Sequence, residues 1–222
     1  MPEDPFPRLE IQRLGTIPYA RALRLQTELI QERRLGLVSD RLLLLEHPPV
    51  ITMGSSFKEE HLLLSSKELE ERGLEVFRVG RGGDVTYHGP GQLVAYPILA
   101  LEPDRRDLHR YLRDLEQVLM STLHEFGIEA DRAPGFTGVW VPEGKLAAIG
   151  VRVSSGWITS HGFALNVDPD LSHFSAIVPC GIQDRPVTSM SRLLGRSISV
   201  SSVIPPLLRA FETVFSRTCI VV

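Results

Sequence analysis

The sequence has few of the features that mark several large protein classes. It contains two cysteines, Cys180 and Cys219, and no C-x-x-C spacing, so it indicates neither a disulfide framework nor a zinc finger. No apolar run approaches the roughly 20 residues that a membrane helix needs. The net charge is −3, from 24 basic and 27 acidic residues, which does not favour binding to nucleic acid. We expect a cytoplasmic protein with reduced thiols and with neither a membrane nor a nucleic-acid partner.

Several common catalytic motifs are also missing. There is no G-x-S-x-G elbow of a serine hydrolase and no H-E-x-x-H spacing of metal ligands. Gly138 and Gly144-Lys145 resemble a phosphate-binding loop, but five residues separate the glycines and Leu146 follows the lysine. The sequence therefore predicts neither metal-dependent chemistry nor a nucleotide loop of this type, and catalysis by a cysteine nucleophile remains open.

The patterns that are present predict one α+β domain. A length of 222 residues with 43% hydrophobic and 23% charged residues fits one globular unit, 1–222, with a core of about 40–216. Apolar residues at a period of 3.6 predict helices at 19–34, at 107–126 and from Pro205-Pro206 onward. Short β-type runs predict strands at 42–46, 50–53, 74–79, 84–88, 93–98, 145–153 and 157–167. We expect a mixed, mostly antiparallel sheet flanked by helices.

The last two predicted strands form a hairpin with faces of different character. Ser154-Ser155-Gly156 joins them as a short loop. By the period of two, one face of the second strand carries Trp157, Thr159, His161, Phe163, Leu165 and Val167. The other face carries Ser160, Gly162, Ala164 and Asn166, and these small or polar residues leave room for a bound molecule.

A glycine-rich segment runs through the middle of the sequence as Arg81-Gly-Gly-Asp-Val-Thr-Tyr-His-Gly-Pro-Gly-Gln92. Glycines at this density let the backbone come close to a bound group, and consecutive N–H groups can form a concavity for an anion. The same composition is also typical of a tight hairpin turn that happens to carry a histidine.

Cys180 lies in Val178-Pro-Cys-Gly-Ile182 and is a candidate nucleophile. The glycine after the thiol exposes backbone N–H groups and lets a substrate approach, as an oxyanion site requires. A cation or base must favour the thiolate, and Lys145, His88 and His161 are candidates by residue type. A buried, inert thiol is the alternative. The remaining candidates are interpreted as surface, packing or structural residues: His47, His61, His109, His124, His173 and Cys219.

Four motifs together resemble a known family, the lipoyl (octanoyl) transferases. They are the glycine-rich segment, Gly144-Lys-Leu-Ala-Ala-Ile-Gly150, His161-Gly-Phe-Ala-Leu-Asn-Val167 and Pro179-Cys-Gly-Ile182, in that order. His47-Pro-Pro-Val50 also resembles an early segment of the family. The chain departs from the usual pattern at Asp84, where the family typically has glutamine, and at Phe163, where it usually has leucine.

The resemblance implies a biotin/lipoate protein ligase-like fold and an acyl transfer through a cysteine acyl-enzyme. Octanoyl-acyl carrier protein would be the donor, and a lysine of 2-oxoacid dehydrogenase E2 lipoyl domains or of the glycine-cleavage H protein the acceptor. The family's cysteine–lysine dyad corresponds to Cys180 and Lys145, with neither ATP nor a metal required. Substrate-binding residues carry over as Arg81, Gly82, Gly83, Asp84, Val85, Thr86, Tyr87, His88, Ala148, Ile149, Gly150, Gly162, Phe163 and Ala164.

Three alternatives stay open beside this interpretation. An ATP-dependent lipoate or biotin ligase shares the fold, but lipoate ligases typically carry Arg-Arg-x-Ser-Gly-Gly-Gly where this chain has Arg78-Val-Gly-Arg-Gly-Gly-Asp84. An amidotransferase between protein carriers and a catalytically silent lipoyl-domain-binding module are the others. We expect a monomer, and we hypothesise that Arg81, Arg132 and Arg152 dock the acidic carrier.

Overall fold

The computed structural model describes residues 6–103, 105–181 and 185–222, and only the backbone at Cys180. In these ranges the helices are α1 Tyr19–Arg34, α2 Ser66–Glu71, α3 Leu108–His124, α4 Met190–Leu194 and α5 Val200–Phe215. The strands are β1 Arg8–Thr16, β2 Asp40–Glu46, β3 Val50–Met53, β4 Glu75–Arg78, β5 Val85–His88, β6 Gln92–Ile98, β7 Asp131–Ala133, β8 Phe136–Val141, β9 Gly144–Ser154, β10 Ile158–Asn166 and β11 Thr218–Val221. Short 3₁₀ helices lie at Glu59–His61, Leu171–Ala176 and Pro179–Gly181.

The strands form a large and a small sheet. The large sheet has the order β11-β1-β2-β6-β10-β9-β8-β7, and the small one has the order β4-β3-β5. Pairing is antiparallel from β2 to β7, whereas β1 pairs in parallel with both β2 and β11. The structure therefore confirms an α+β fold with a mixed, mostly antiparallel sheet.

Helices cover both faces of the large sheet. On one face α3 and α5 enclose the main core, where Tyr111, Leu115 and Leu119 of α3 meet Phe211 and Phe215 of α5. The opposite face packs against α1 through a second cluster that includes the buried Ala22 and Leu29. The apolar residues whose spacing predicted these helices are thus largely the ones that each helix buries on one side.

The chain outside the predicted core also builds the sheet. Leu9 and Ile11 of β1 are fully buried in the main core, and β11 forms the edge beside β1. Neither strand was predicted. Their short apolar runs, Leu9-x-Ile11 and Cys219-Ile220-Val221, are too brief to distinguish from loop by periodicity.

The predicted start of the last helix was wrong. The helix α5 begins at Val200, because the Ser199 hydroxyl accepts a hydrogen bond from Ser202 N at 3.2 Å and caps the first turn. Pro205 and Pro206 lie inside the helix, although each removes a backbone donor. The buried residues Val203 and Leu207 keep the apolar period on either side of the prolines, so packing maintains the helix through them.

Candidate functional site: a cavity between the glycine-rich loop and the hairpin

The candidate site is a cavity of about 230 Å³ between the two sheets. One side comes from the glycine-rich loop and β5, with Arg81, Gly83, Asp84, Val85, Thr86 and His88. We call this side the loop wall. The other side comes from the β9–β10 hairpin, with Lys145, Ala148, Ile149, Gly150, His161, Gly162 and Phe163. We call this side the hairpin wall. The structure thus brings together most of the residues that the resemblance implied.

Three of the implied residues do not line this cavity. Gly82 lies beside it and donates its N–H to Val151 O at 2.9 Å, which ties the loop to β9. Tyr87 is buried on the other side of β5, where its ring stacks on His173 at 5.1 Å. Tyr87 and Ala164 line a second, much smaller cavity.

Hydrogen bonds between buried side chains shape the loop wall. Arg81 is buried and donates from Nη2 to Thr52 O at 2.6 Å and to Thr52 Oγ1 at 2.9 Å. His88 Nδ1 lies 3.2 Å from Gln92 Oε1. Burial, together with His47 and Arg81, holds the pKa of His88 well below its ordinary value, so this imidazole is neutral. Arg81 therefore organises the loop from inside, and its burial does not support the hypothesis that it docks a carrier.

The other two arginines of that hypothesis differ in environment. Arg132 donates to the buried carboxylate of Glu116 at 2.9 Å and so ties β7 to α3. Arg152 is exposed on β9 and lies against Gly80, beside the loop wall. Arg152 thus has the exposure near the cavity that the docking hypothesis requires.

Two amides of the glycine-rich loop already donate hydrogen bonds within the protein. Besides the bond from Gly82, Val85 N donates to Asp84 Oδ1 at 2.8 Å. The carbonyls of the loop accept as well, with Gly54 N bonding Asp84 O at 2.9 Å and Ser56 N bonding Gly83 O at 3.0 Å. The segment therefore closes one side of a cavity, and these particular amides do not form the anion-binding concavity that its composition suggested.

Small residues let the hairpin wall approach the loop. A Cβ added at Gly150 would lie 2.9 Å from Gly82 O, so a larger residue would push the two walls apart. Gly162 lines the main cavity, and Ala164 and Asn166 line the second one, which agrees with the predicted open face of the strand.

The alternation of faces in β10 is interrupted at His161. This residue has a φ of 55°, in the left-handed region, so the regular strand geometry on which a strict period of two depends is distorted there. His161, Gly162 and Phe163 all line the cavity in succession. Gln26 of α1 supports the irregular backbone by accepting from His161 N at 2.8 Å. Burial, then Arg81 and Arg152, lower the pKa of His161 to about 4.

Lys145 is the best-placed of the three candidate bases. It is buried, and its Nζ lies 5.0 Å from the centroid of the Trp140 ring. Its backbone is clamped by Lys145 N donating to Pro186 O at 2.9 Å and by Thr188 N donating to Lys145 O at 3.0 Å. Lys145 lines both cavities, and Pro179, the residue before Cys180, also lines the smaller one. His88 and His161 line the main cavity with Lys145 but are not among the residues that line the second one.

The Cys180 side chain lies outside the described part of the structure, but its backbone belongs to the 3₁₀ turn Pro179–Gly181. In this turn Gly181 N donates to Val178 O at 3.0 Å, so this amide is not exposed as the sequence had suggested. Ile182, the last residue of that motif, also lies outside the described residues. Cys219, by contrast, lies in β11, where burial and Glu212 raise its thiol pKa to about 12, consistent with a structural role.

Several site residues were missed by sequence reasoning. Tyr19 and Tyr96 line the main cavity, and Tyr96 donates its hydroxyl hydrogen to the buried His47 Nε2 at 2.8 Å. His61 lies 2.5 Å from Asp84. These contacts join residues far apart in the chain, and none has a local motif that could have revealed it.

Neither a cluster of metal ligands nor a membrane-spanning helix is found in residues 6–103, 105–181 and 185–222. There, no group of three or more histidine, cysteine, aspartate or glutamate residues is arranged to hold a metal ion. No helix in the same ranges has the length and apolar character needed to cross a membrane.

Comparison with known proteins identifies the family. Residues 18–212 match the lipoyl protein ligase A/B catalytic domain. The chain belongs to this family. It is 52% identical over 208 residues to a protein named octanoyltransferase from Rubrobacter xylanophilus, with 93% of each chain covered. Because relatives at this level of identity are named octanoyltransferase, this protein is an acyltransferase.

Solved structures of lipoate and biotin protein ligases show the same fold. A bipartite lipoate protein ligase from Thermoplasma acidophilum superposes with a TM-score of 0.67 at 16% identity, covering 96% of this chain and 87% of that one. Biotin protein ligase from Aquifex aeolicus superposes with a TM-score of 0.54 at 15% identity, covering 94% and 69%. The predicted biotin/lipoate protein ligase-like fold is therefore confirmed.

Proposed function

We propose that this family member transfers an octanoyl group from acyl carrier protein to a specific lysine of a lipoyl domain. The acceptors are lipoyl domains of 2-oxoacid dehydrogenase E2 subunits and the glycine-cleavage H protein. The observation that carries the proposal is a cavity lined by Val85, Ala148, Ile149 and Phe163, with the buried Lys145 at its side. The relatives named octanoyltransferase support the choice of acyl group.

In the first half-reaction, Lys145 Nζ accepts the proton of the Cys180 thiol and the thiolate attacks the carbonyl carbon of the carrier thioester. A new thioester bond forms at Cys180 Sγ, the bond to the phosphopantetheine sulfur breaks, and Lys145 returns the proton to that sulfur. The support for this pairing is that Lys145 and Pro179 line one small cavity.

In the second half-reaction, the ε-amine of the acceptor lysine attacks the acyl-enzyme. An amide bond forms, the bond to Cys180 Sγ breaks, and Lys145 transfers the amine proton to the departing thiolate. Because the thioester is already activated, the scheme needs neither ATP nor a metal. The loop Arg78-Val-Gly-Arg-Gly-Gly-Asp84 supports this, since it lacks the serine and third glycine that are typical of lipoate ligases.

The test is intact-mass spectrometry after the protein is mixed with octanoyl-acyl carrier protein without ATP. The proposal expects one octanoyl adduct that a Cys180→Ser variant does not form and that an apo lipoyl domain discharges. Acceptor acylation only from free octanoate and ATP would instead identify an ATP-dependent ligase. We further propose a cytoplasmic monomer, and sedimentation at micromolar concentration tests the monomer by its mass.

A further inference from the structure

A buried hydrogen-bonded pair joins the glycine-rich loop to the turn that carries Cys180. His61 Nδ1 lies 2.5 Å from Asp84 Oδ2, and both side chains are only 10% exposed. Since a carboxylate oxygen accepts, the histidine ring nitrogen is the donor. Neither residue belongs to the cysteine–lysine pair proposed above.

The Asp84 side of the pair is fixed at the edge of the main cavity. Asp84 Oδ1 accepts from its neighbour Val85 N at 2.8 Å, and the backbone N of Lys58 approaches the same oxygen at 3.4 Å. Asp84 also lines the cavity itself. Its carboxylate thus connects the loop wall with the segment that leads to His61.

The His61 side holds the backbone just before Cys180. His61 O accepts from Val178 N at 2.8 Å, and Leu63 N donates to Ala176 O at 2.9 Å. Leu62 and Ile177 form an antiparallel bridge between these two bonds. Three successive residues on each side are therefore paired, directly up to the Pro179–Gly181 turn.

Gly181 meets the pair on the other side of Cys180. Its φ is 67°, and a Cβ there would lie 2.8 Å from His61 Cε1 and 2.9 Å from Asp84 Oδ2. Only a residue without a side chain fits this backbone conformation and this contact at once. The pair thus packs against the residue after Cys180, while the His61 backbone holds the residues before it.

We propose that His61 and Asp84 act together as positioning residues that hold the Cys180 turn in a fixed place relative to the loop wall. This inference rests on the proposed function of Cys180. Asp84 stands where the family resemblance expects glutamine, and in this chain it gives His61 a carboxylate partner. The pair sets where the thiol meets the acyl carbonyl, and it contacts the turn that carries the reacting group instead of reacting itself.

The experiment compares His61→Leu, Asp84→Asn and the double variant with the wild type. Single-turnover octanoyl-enzyme formation is measured at saturating octanoyl-acyl carrier protein, per folded molecule. His124→Leu is the matched control, because His124 pairs with Glu129 at 2.8 Å but both side chains are more than 70% exposed. His61→Asn is the conservative variant, because its amide can donate to Asp84 from near the position of Nδ1.

Loss of either partner is expected to slow acyl-enzyme formation by about ten- to a hundredfold, the cost of a small misplacement of a reacting group. The carrier concentration that gives half-saturation is expected to stay within about twofold of the wild-type value, since the pair holds the nucleophile and not the carrier. The double variant is no slower than the worse single variant, because the two residues act as one unit. His61→Asn recovers part of the rate, and His124→Leu keeps all of it.

Hydrogen exchange at the amides of Val178 and Gly181 provides a readout that needs no activity. The proposal expects exchange at these amides to be at least about tenfold faster in both single variants, with β9 and β10 unchanged. Wild-type rates per folded molecule together with unchanged exchange would overturn the proposal. A wild type that forms no octanoyl adduct would instead contradict the proposed function, and the exchange measurement would still decide whether the pair fixes the turn.

Discussion

The two walls of the cavity obtain their shape in opposite ways. The loop wall is built by buried polar side chains that bind one another, as Arg81 binds Thr52 and His88 binds Gln92. The hairpin wall is shaped largely by small residues. Gly150 has no side chain, so the glycine-rich loop can contact the backbone of the hairpin there. The loop wall should therefore respond to the loss of a hydrogen bond, and the hairpin wall to added volume or to a change in one of its ionisable groups.

The largest effect is expected where the hairpin wall carries its reactive group. Lys145→Met should slow octanoyl-enzyme formation by about 10²–10⁴-fold, the usual contribution of a positioned proton acceptor. Quenched-flow mass spectrometry measures this rate. Lys67→Met, at a lysine that is 85% exposed on α2, is the matched control and should leave it unchanged. Equal rates for the two variants would remove Lys145 from the mechanism.

Added volume is the next test of the hairpin wall. Ala148→Leu places three more carbons in the cavity, and we expect octanoyl-enzyme formation to fall by roughly ten- to a hundredfold from overpacking. The rate of acyl-enzyme formation with a butanoyl donor should fall much less, because its shorter chain does not extend as far into the cavity. Comparing the two donors in the same variant provides the control, and an equal loss for both would show that Ala148 does not limit chain length.

On the loop wall, removing one hydroxyl should reduce stability. Thr52→Val keeps the shape of a fully buried side chain but removes the Oγ1 that accepts from Arg81 Nε and Nη2. The free energy of unfolding in urea should fall by about 2 kcal/mol, since hydrogen bonds to a buried charged group are costly to lose. Thr27→Val, at an exposed hydroxyl on α1, should change it by less than about 0.5 kcal/mol. Similar losses would contradict a special role for the Arg81–Thr52 contact.

The smallest expected effect concerns pH. His161 has a folded pKa of about 4 against 6.5 in an unperturbed chain, so the unfolded state binds more protons between these values. His161 therefore contributes stability above pH 6.5 that is lost as the pH falls towards 4. His161→Gln should flatten the fall in unfolding free energy between pH 6 and 5 by about 1 kcal/mol per pH unit. An unchanged slope in that window would contradict the pKa assigned to His161.

The local elements of the fold could be predicted because their signals lie in short stretches of sequence. The residues 19–34 predicted as a helix are the bounds of α1, and the predicted hairpin corresponds to β9 and β10 within a residue or two. Capping, apolar period and turn composition all act over a few neighbouring residues. The start of α5 differs from the prediction because Ser199 caps the helix upstream of the two prolines.

The site was predictable only as far as its motifs extend. The glycine-rich loop and the hairpin residues were found, yet Tyr19, Tyr96 and His61 join them only through tertiary contacts. The left-handed backbone of His161 is hydrogen-bonded to Gln26, which lies 135 residues earlier in the chain. The alternation of side chains along a strand cannot predict such a contact, because the pattern describes one strand at a time.

The parallel pairing of β1 with β11 has a consequence for how the molecule comes to be folded. Arg8 is the register partner of Thr218, so during synthesis β1 is made long before β11, with which it pairs. Until then the Leu9 edge of the sheet has an open row of backbone donors and acceptors. Contacts between such distant residues are slow to form, so on the ribosome this edge is the last part of the sheet to close.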